Sequence, residues 1–240
     1  MLESVGADEA MRRVWRDVVE TLPLSHEQHE ASHEIFDDLL RRYGEPHRSY
    51  HTIDHIAWVV HRLNELIDTT SEPVDRDALT MAALFHDAIY ATAPAASTTS
   101  TTSTTSTTSA TSAASNEAQS AQLATAQLAR IGWPATRIAL VVELIEATET
   151  HAAASPAQAL LLDADLAVLG GDADAYQAYV RGVRAEYAHV HEEQWRVGRA
   201  AVLRGFIARP RIFATDAMVS QREAQARVNM AAELAALECS

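Results

Sequence analysis

The stretch Ala82-Ala83-Leu84-Phe85-His86-Asp87-Ala88-Ile89-Tyr90 places an imidazole beside a carboxylate within an otherwise apolar run. Burying an ionised carboxylate without a partner costs several kcal/mol, so such groups normally pair with another charge or bind a metal. Histidines and acids stand in similar apolar settings in two further stretches, Arg48-Ser49-Tyr50-His51-Thr52-Ile53-Asp54-His55 and Leu160-Leu161-Leu162-Asp163-Ala164-Asp165-Leu166. We interpret the three stretches as one metal site, held in place by the helices around it.

The composition of the 240-residue chain is that of a globular protein with a sizeable core, since 48% of its residues are hydrophobic. A net charge of −14 argues against partners such as nucleic acid or an anionic membrane. Cys239 is the only cysteine, so no disulfide can form within the chain and a reducing cytoplasm is the expected setting. We expect neither a signal peptide nor a membrane span, and the sequence leaves homo-oligomerisation open.

Apolar residues recur at helical spacing along most of the chain, and no stretch alternates with period two, so the prediction is an all-α fold. Ser25 and Gln28 have the spacing of a capping box, which opens a helix that stops at Gly44. We expect one domain over residues 1–240, with its core at about 25–190 and C-terminal helices at 191–240. The other predicted helices cover residues 7–22, 51–67, a segment from Asp75 or Asp77 through His86 and Asp87, a segment from Pro134, and 155–170, 173–189, 192–207 and 216–237.

Residues 95–115 contain only alanine, serine and threonine, with a repeated Ser-Thr-Thr unit. Such a segment has no large apolar group with which to offset its ordering entropy, so we predict a disordered loop insertion. Two interpretations remain: the loop partly covers the active site, or it is an accidental repeat tolerated at a loop tip.

His51 and His55 are four residues apart, which places both imidazoles on one face of a predicted helix. Zinc peptidases use the same spacing, but they need a glutamate at one of two positions that Thr52 and Asp54 occupy here. For His86-Asp87 the alternative to metal binding is an ordinary buried hydrogen bond between the two side chains. Histidine together with carboxylate suits Mn, Fe, Ni, Co or Zn better than Ca, which prefers oxygen ligands.

Six motifs follow one another between about Tyr43 and Tyr187, and the histidine, the adjacent His-Asp pair and the distant aspartate among them lie on predicted helices. They are Arg48-x-Tyr50-His51-x-x-x-His55-Ile56, Phe85-His86-Asp87-Ala88-x-Tyr90, Asn116-Glu117-x-x-Ser120-Ala121, Ala147-Thr148-x-x-His151, Leu162-Asp163-Ala164-Asp165-Leu166-x-x-Leu169-Gly170 and Arg184-x-Glu186-Tyr187. This order resembles that of the HD-domain metal-dependent phosphohydrolase superfamily, and within it a bacterial group described as predicted metal-dependent HD phosphohydrolases. The motifs are specific for the family and not for a substrate.

The resemblance implies a single HD-domain-like helical bundle that binds one or two divalent ions, of Mn, Co, Ni, Fe, Zn or Mg. The implied ligands are His51, His86, Asp87 and one downstream acid, for which we prefer Asp165. The remaining predicted roles are a phosphate contact for Arg48, a proton acceptor in Glu117 or Asp163, and phosphate contacts or ligands of a second metal for His55 and His151. Glu117 stands in for an acid that many family members carry shortly after His-Asp.

The function that the resemblance implies is metal-assisted hydrolysis of a phosphate ester or phosphoanhydride. The expected substrate is a nucleotide or another small phosphorylated metabolite. Two alternatives are an HD-type di-iron oxygenase and a catalytically silent helical sensor or interaction domain that kept the site as a relic.

Overall fold

The computed structural model describes residues 4–92 and 114–239, and within these ranges the chain forms helices and no strand. The all-α prediction is therefore confirmed, whereas residues 95–113 of the predicted disordered insertion lie outside the described residues. None of the described helices is long and apolar enough to cross a lipid bilayer. The helices are α1 (Ser4–Val19), α2 (His26–Tyr43), α3 (Ile53–Thr69), α4 (Arg76–Phe85), α5 (Asn116–Arg130), α6 (Ala135–Thr150), α7 (Pro156–Leu166), α8 (Ala173–Glu186), α9 (Glu192–Ile207), α10 (Asp216–Met218) and α11 (Ala224–Cys239).

Side chains at the predicted helix starts cap the free backbone N–H groups. Ser25 and Gln28 form the predicted capping box at the start of α2, with both reciprocal hydrogen bonds present. Asp75, and not Asp77, caps α4 by accepting a hydrogen bond from the Ala78 N–H at 3.0 Å. Ser155 caps α7, whose first residue is a proline.

Helix α4 occupies the centre of the molecule and is buried on all sides. Every residue from Ala78 to Phe85 is buried, and the helix packs against α3, α5, α6 and α7. A helix that is apolar all round belongs in a core, which explains why this stretch shows no polar face. The polar pair His86-Asp87 therefore follows directly after the most buried helix of the fold.

Two helix boundaries differ from the predicted ones, and both differences affect the candidate site. Helix α3 begins at Ile53, so His51 lies in the turn before the helix and not on it. Helix α4 ends at Phe85, so His86 and Asp87 lie in the turn that follows. The site residues expected on helix faces are thus partly presented by turns at helix ends.

A buried polar network joins α8, α9 and α11 behind the central helices. Arg199 donates to both carboxylate oxygens of Glu233 at 2.7 and 3.0 Å, and to the Tyr179 hydroxyl at 3.0 Å. The Tyr176 hydroxyl donates to Glu233 at 2.5 Å. We call these four side chains the Arg199 network, and each of them has at least one partner within it.

The side chain of Asn116 joins the two described segments that flank residues 93–113. The Asn116 side-chain oxygen accepts from the Ala91 N–H at 3.1 Å, and its amide nitrogen donates to the Ala91 carbonyl at 3.2 Å. Helix α5 therefore starts beside the point at which the chain leaves the His86-Asp87 turn.

Candidate metal centre

Four side chains from three parts of the fold meet at one point. His55 comes from the first turn of α3, His86 and Asp87 follow α4, and Asp165 lies near the end of α7. His55 Nε2 is 3.2 Å from Asp165 Oδ1 and 3.5 Å from Asp87 Oδ2. His86 Nε2 is 3.2 Å from Asp87 Oδ2 and 3.7 Å from Asp165 Oδ1. We call these four residues the histidine–aspartate cluster.

The Nε2 atoms of both cluster imidazoles are buried without hydrogen-bond partners. His55 is 5% exposed and His86 2% exposed, and neither Nε2 atom has a partner with hydrogen-bond geometry. The Nδ1 atom of His86 lies 2.8 Å from the Ala83 carbonyl, to which it donates, so its Nε2 carries the lone pair when the ring is neutral. Buried polar atoms normally have partners, so these two nitrogens point to a missing ligand.

The donor set of the cluster fits a divalent metal ion. One ligand atom each from His55, His86 and Asp165 lie within 4.8 Å of one another, and the Asp87 carboxylate is beside both imidazoles. Imidazole nitrogen together with carboxylate oxygen is a common ligand set for Mn, Fe, Co, Ni and Zn. The Nδ1–H···O bond of His86 also matches the way in which proteins orient a ligating histidine through its other ring nitrogen.

Burial and opposite charges shape the electrostatics of the cluster. Burial opposes ionisation of Asp87, but the imidazoles of His86, His51 and His55 outweigh it and hold the pKa of Asp87 well below its usual range. The pKa of Asp165 is likewise well below its usual value, because the histidines around it outweigh burial. The pKa of His86 is raised, since the carboxylates overcome the desolvation of its ring. The two carboxylates thus require positive charge, which protons on the rings or a metal ion can provide.

His151 adds a further imidazole on the other side of Asp165. Its backbone adopts the left-handed conformation with φ of 50°, alone among the described non-glycine residues. This conformation ends α6 and brings His151 Nε2 to 3.2 Å from Asp165 Oδ2. The two oxygens of Asp165 therefore face different histidines, Oδ1 towards His55 and Oδ2 towards His151.

The structure places His55, and not the predicted ligand His51, against the two carboxylates of the cluster. His55 belongs to the cluster, whereas the Nδ1–H of His51 donates to Glu186 Oε2 at 2.7 Å. Glu186 also accepts from the backbone N–H groups of residues 49, 50 and 51 and from the Tyr90 hydroxyl. Burial opposes the charge of Glu186, yet these bonds lower its pKa to about 2. His51 lies beside the cluster with its ring held by an ionised carboxylate.

Arg48 has a different role from the predicted phosphate contact. Its side chain is 0% exposed, and its guanidinium donates to the carbonyls of His51, Asp87 and Ala88 at 2.9 to 3.2 Å. The guanidinium is therefore occupied by backbone carbonyls and by Glu45, whose Oε2 is 3.3 Å from its Nε, and Arg48 does not line the cleft. It ties the turn that carries His51 to the turn that carries Asp87.

Asp163 also departs from its predicted role as a proton acceptor. Its oxygens accept from the Ala214 N–H and from the N–H and hydroxyl of Thr215, all at 2.6 to 2.7 Å. Burial raises the pKa of Asp163 although these bonds act in the opposite direction. Asp163 thus fastens the segment before α10 to α7. It does not join Asp165 in the cluster, because residues two apart on a helix face different sides.

Glu117 is the predicted proton acceptor that the structure places in the cleft. It lies in the first turn of α5 and is half-buried. No described residue forms a hydrogen bond or ion pair with its carboxylate, which is therefore free to interact with water or a ligand.

A cleft of about 860 Å³ opens onto the cluster, and its walls include His86, Asp87, Asp165, His51 and His151. The rest of its wall is formed largely by aromatic and aliphatic side chains from α8 and α9. This volume is in the range of small-molecule binding sites. The cluster is thus reached from a cavity and is not sealed in the core.

Sequence reasoning missed two residues of this site, Glu186 and Arg209. Glu186 was noticed only as part of a late-helix motif, and no local pattern indicates that it accepts bonds from a turn 135 residues earlier. Arg209 follows α9 and lines the cleft, and its guanidinium donates to the last carbonyls of α6 at 2.7 and 2.9 Å. No sequence signal identified it.

Comparison of the chain with protein-family models, with curated proteins and with solved structures finds no significant match to any of the three. The chemistry of the site must therefore be argued from its own residues.

Proposed function

We propose that this protein binds a divalent metal at the histidine–aspartate cluster and hydrolyses a phosphate ester or phosphoanhydride. The observation that carries the proposal is the pair of buried, unpartnered Nε2 atoms of His55 and His86 that face two carboxylates beside a cleft. The order of the motifs, which resembles that of HD-domain phosphohydrolases, supports the same chemistry.

His55, His86, Asp87 and Asp165 would hold the ion. An ion of this kind supplies activation of water near neutral pH and neutralisation of charge on phosphoryl oxygens. His55 takes the place expected of His51 in this ligand set, because its Nε2 lies 3.2 Å from Asp165 Oδ1 and 3.5 Å from Asp87 Oδ2.

His51 is suited to deliver a proton to the leaving oxygen. Its ring lies at the cleft, and the hydrogen bond from Nδ1 to Glu186 fixes the ring orientation. Its Nε2 has no partner among the residues that the structure describes, so this nitrogen can face a substrate. A histidine oriented by a carboxylate is a frequent arrangement for proton transfer. Glu117, on another side of the cleft, would take the proton from water.

Arg209 is suited to contact the phosphate in place of Arg48. Its guanidinium donates to two backbone carbonyls and lies over the Phe206 ring, and its positive charge has no carboxylate partner among the described residues. The other arginine of the cleft wall, Arg199, is neutralised by Glu233. Arg209 therefore carries the unbalanced positive charge that a phosphate group requires.

A second candidate is a di-iron oxygenase, which the position of Asp165 favours. Its two oxygens face His55 and His151 respectively, at 3.2 Å each, as a carboxylate would if it bridged two ions. Metal content separates the candidates: two irons per chain with oxygen consumption would support the oxygenase. One exchangeable ion with phosphate release would support the hydrolase.

The test uses protein purified without added metal, whose metal content is measured by elemental analysis. Phosphate release is then followed on nucleotides and simple phosphate esters with Mn, Co, Ni, Fe, Zn or Mg. The matched variants are His86→Ala and His61→Ala, since His61 is an exposed histidine on α3 away from the cleft.

We expect His86→Ala to lose both bound metal and phosphate release, and His61→Ala to keep both. Full activity in a metal-free protein would contradict the proposal. Bound metal without turnover of any ester would instead favour a sensor that retains the site.

A further inference from the structure

The two imidazoles of the histidine–aspartate cluster are held in different ways. The Nδ1–H of His86 donates to the Ala83 carbonyl at 2.8 Å, which fixes the orientation of that ring. In His55, by contrast, both ring nitrogens are buried and neither has a hydrogen-bond partner among the described residues. When Nε2 of His55 binds an ion, the proton of the neutral ring is on Nδ1, where no acceptor receives it. Hydrogen bonds therefore do not explain what holds the His55 ring in place.

The aromatic ring of Tyr50 packs directly against His55. The centroids of the two rings are 4.8 Å apart, and their planes are inclined by 43°. The rings of His51 and His86 are more distant from His55, at 5.5 and 5.7 Å. Contacts between aromatic rings at such distances favour particular relative orientations. The Tyr50 hydroxyl forms no hydrogen bond with a described residue, so the ring is the part of this side chain that makes the contact.

Tyr50 is itself fixed by one face of α8. Tyr179, Gly182 and Glu186 follow one another at intervals of three and four residues, so they share this face. Glu186 Oε1 accepts from the backbone N–H of Tyr50 at 2.8 Å, and the Tyr179 ring lies edge-on to the Tyr50 ring at 4.9 Å. A Cβ atom at Gly182 would lie 2.9 Å from the Cβ of Tyr50, so α8 approaches here as closely as glycine allows. The backbone, the Cβ and the ring of Tyr50 are thus each held by a different residue of α8.

We propose that Tyr50 is a positioning residue of the metal centre, whose ring, packed on α8, holds the His55 imidazole in place for an ion. This inference rests on the proposed function, because it concerns how the proposed metal site is assembled. Here a ring contact takes the place of the hydrogen bond that usually orients a ligating histidine. A ligand that is already held in place loses less side-chain entropy when the ion binds. The ring of Tyr50 therefore contributes to metal affinity, and its hydroxyl is dispensable for that purpose.

The first experiment titrates the full-length chain with Co²⁺ and measures Kd by competition with a chelator. The visible absorption of the bound Co²⁺ is recorded as well, because it reports the geometry of the ligands. We expect Tyr50→Leu to raise Kd about ten- to a hundredfold and to change the absorption spectrum. Tyr50→Phe keeps the ring, so its Kd and its spectrum should match those of the native chain.

Phe36→Leu is the control for a general loss of stability. Phe36 is a buried aromatic residue of α2, 1% exposed, and its ring packs against Trp15. Its replacement also removes a buried ring, so thermal unfolding should occur at a lower temperature. The Kd for Co²⁺ and the absorption spectrum should stay unchanged, because Phe36 does not contact His55 or Tyr50.

Gly182→Ala disturbs the same contact without altering Tyr50, and it answers the question if Tyr50→Leu does not fold. The added methyl group must displace Tyr50, so we expect a rise in Kd of the same direction and smaller size than in Tyr50→Leu. The matched control is Gly198→Ala in the interior of α9, where an added Cβ would have no atom of another element within 4 Å. Its Kd should be that of the native chain.

The outcomes separate this inference from the proposed function. A native Kd and spectrum in both Tyr50→Leu and Gly182→Ala would overturn the role of Tyr50 and leave the metal site standing. A Kd in Tyr50→Phe as high as in Tyr50→Leu would overturn the assignment to the ring. A native chain that binds no Co²⁺ would contradict the metal site, and with it this inference.

Discussion

The histidine–aspartate cluster and the Arg199 network are both buried groups of polar side chains, and they differ in how completely they are bonded. In the network, Arg199, Glu233 and Tyr176 satisfy one another at 2.5 to 3.0 Å. In the cluster, the Nε2 atoms of His55 and His86 lie near carboxylates but have no partner with hydrogen-bond geometry. A bonded group of this kind holds helices together, whereas an incompletely bonded one needs a ligand to complete it.

Because of this difference, we expect mutations in the network and mutations in the cluster to have different effects. Removing one member of the bonded network leaves another charge buried without a partner, which costs folding free energy. Removing one member of the cluster should cost less folding free energy, because its imidazoles are incompletely hydrogen-bonded already. We therefore expect function to depend on the cluster and stability to depend on the network.

The largest expected effect is on activity, from Asp165→Asn. This substitution keeps the size of the side chain but removes the charge that faces His55, His86 and His151. Loss of several kcal/mol of transition-state stabilisation corresponds to a fall in kcat/KM of about a thousandfold or more. Metal-free protein should keep its free energy of unfolding within about 2 kcal/mol. A large loss of stability with retained activity would reverse the comparison.

The next effect is on stability, from Arg199→Met. Glu233 would remain buried without its cation, so the free energy of unfolding should fall by about 3 kcal/mol in denaturant titration. The double variant Arg199→Met with Glu233→Met should recover most of that loss, because apolar groups replace both charges. If the double variant is no more stable than the single one, packing and not pairing explains the network.

Smaller effects are expected from two arginines near the site, Arg48 on stability and Arg209 on substrate binding. Arg48→Gln should lower the free energy of unfolding by about 2 kcal/mol, because it removes charged hydrogen bonds to backbone carbonyls, and KM should stay unchanged. Arg209→Gln should raise KM about tenfold, because it removes a charged contact to substrate. Equal effects of both changes on KM would restore the predicted phosphate contact of Arg48.

The smallest effect is the acid dependence that Glu186 contributes. Its pKa of about 2 is below the usual value of 4.5, so its stabilising contribution is present above pH 4.5 and is lost as the pH falls towards 2. Glu186→Gln should therefore lose less unfolding free energy between pH 5 and pH 3 than the native chain. Parallel pH curves of the two proteins would show that the carboxylate charge is not used for stability.

The sequence predicts the helices well because their information is local. Apolar spacing and the Ser25 capping box locate α2, and the largely apolar run that follows Asp77 locates the central helix. The placement of His86 and Asp87 after that run follows from the same pattern.

The choice between His51 and His55 depends on a shift of two residues at the start of α3, which periodicity does not resolve. A usable signal did exist, since His55 stands four and eight residues before the buried Val59 and Leu63 and so shares their face. The partners of Arg48 and Glu186 depend on tertiary contacts over 40 to 137 residues, and no local pattern encodes them.

The reciprocal hydrogen bonds between Asn116 and Ala91 have a consequence for how this chain tolerates change in length. Because they hold the described segments that flank residues 93–113 side by side, we expect the entropy cost of closing this stretch to rise by only about 0.6 kcal/mol for each doubling of its length. The chain can therefore gain or lose copies of the Ser-Thr-Thr unit at this position while Glu117 and Asp87, on either side of it, keep their places.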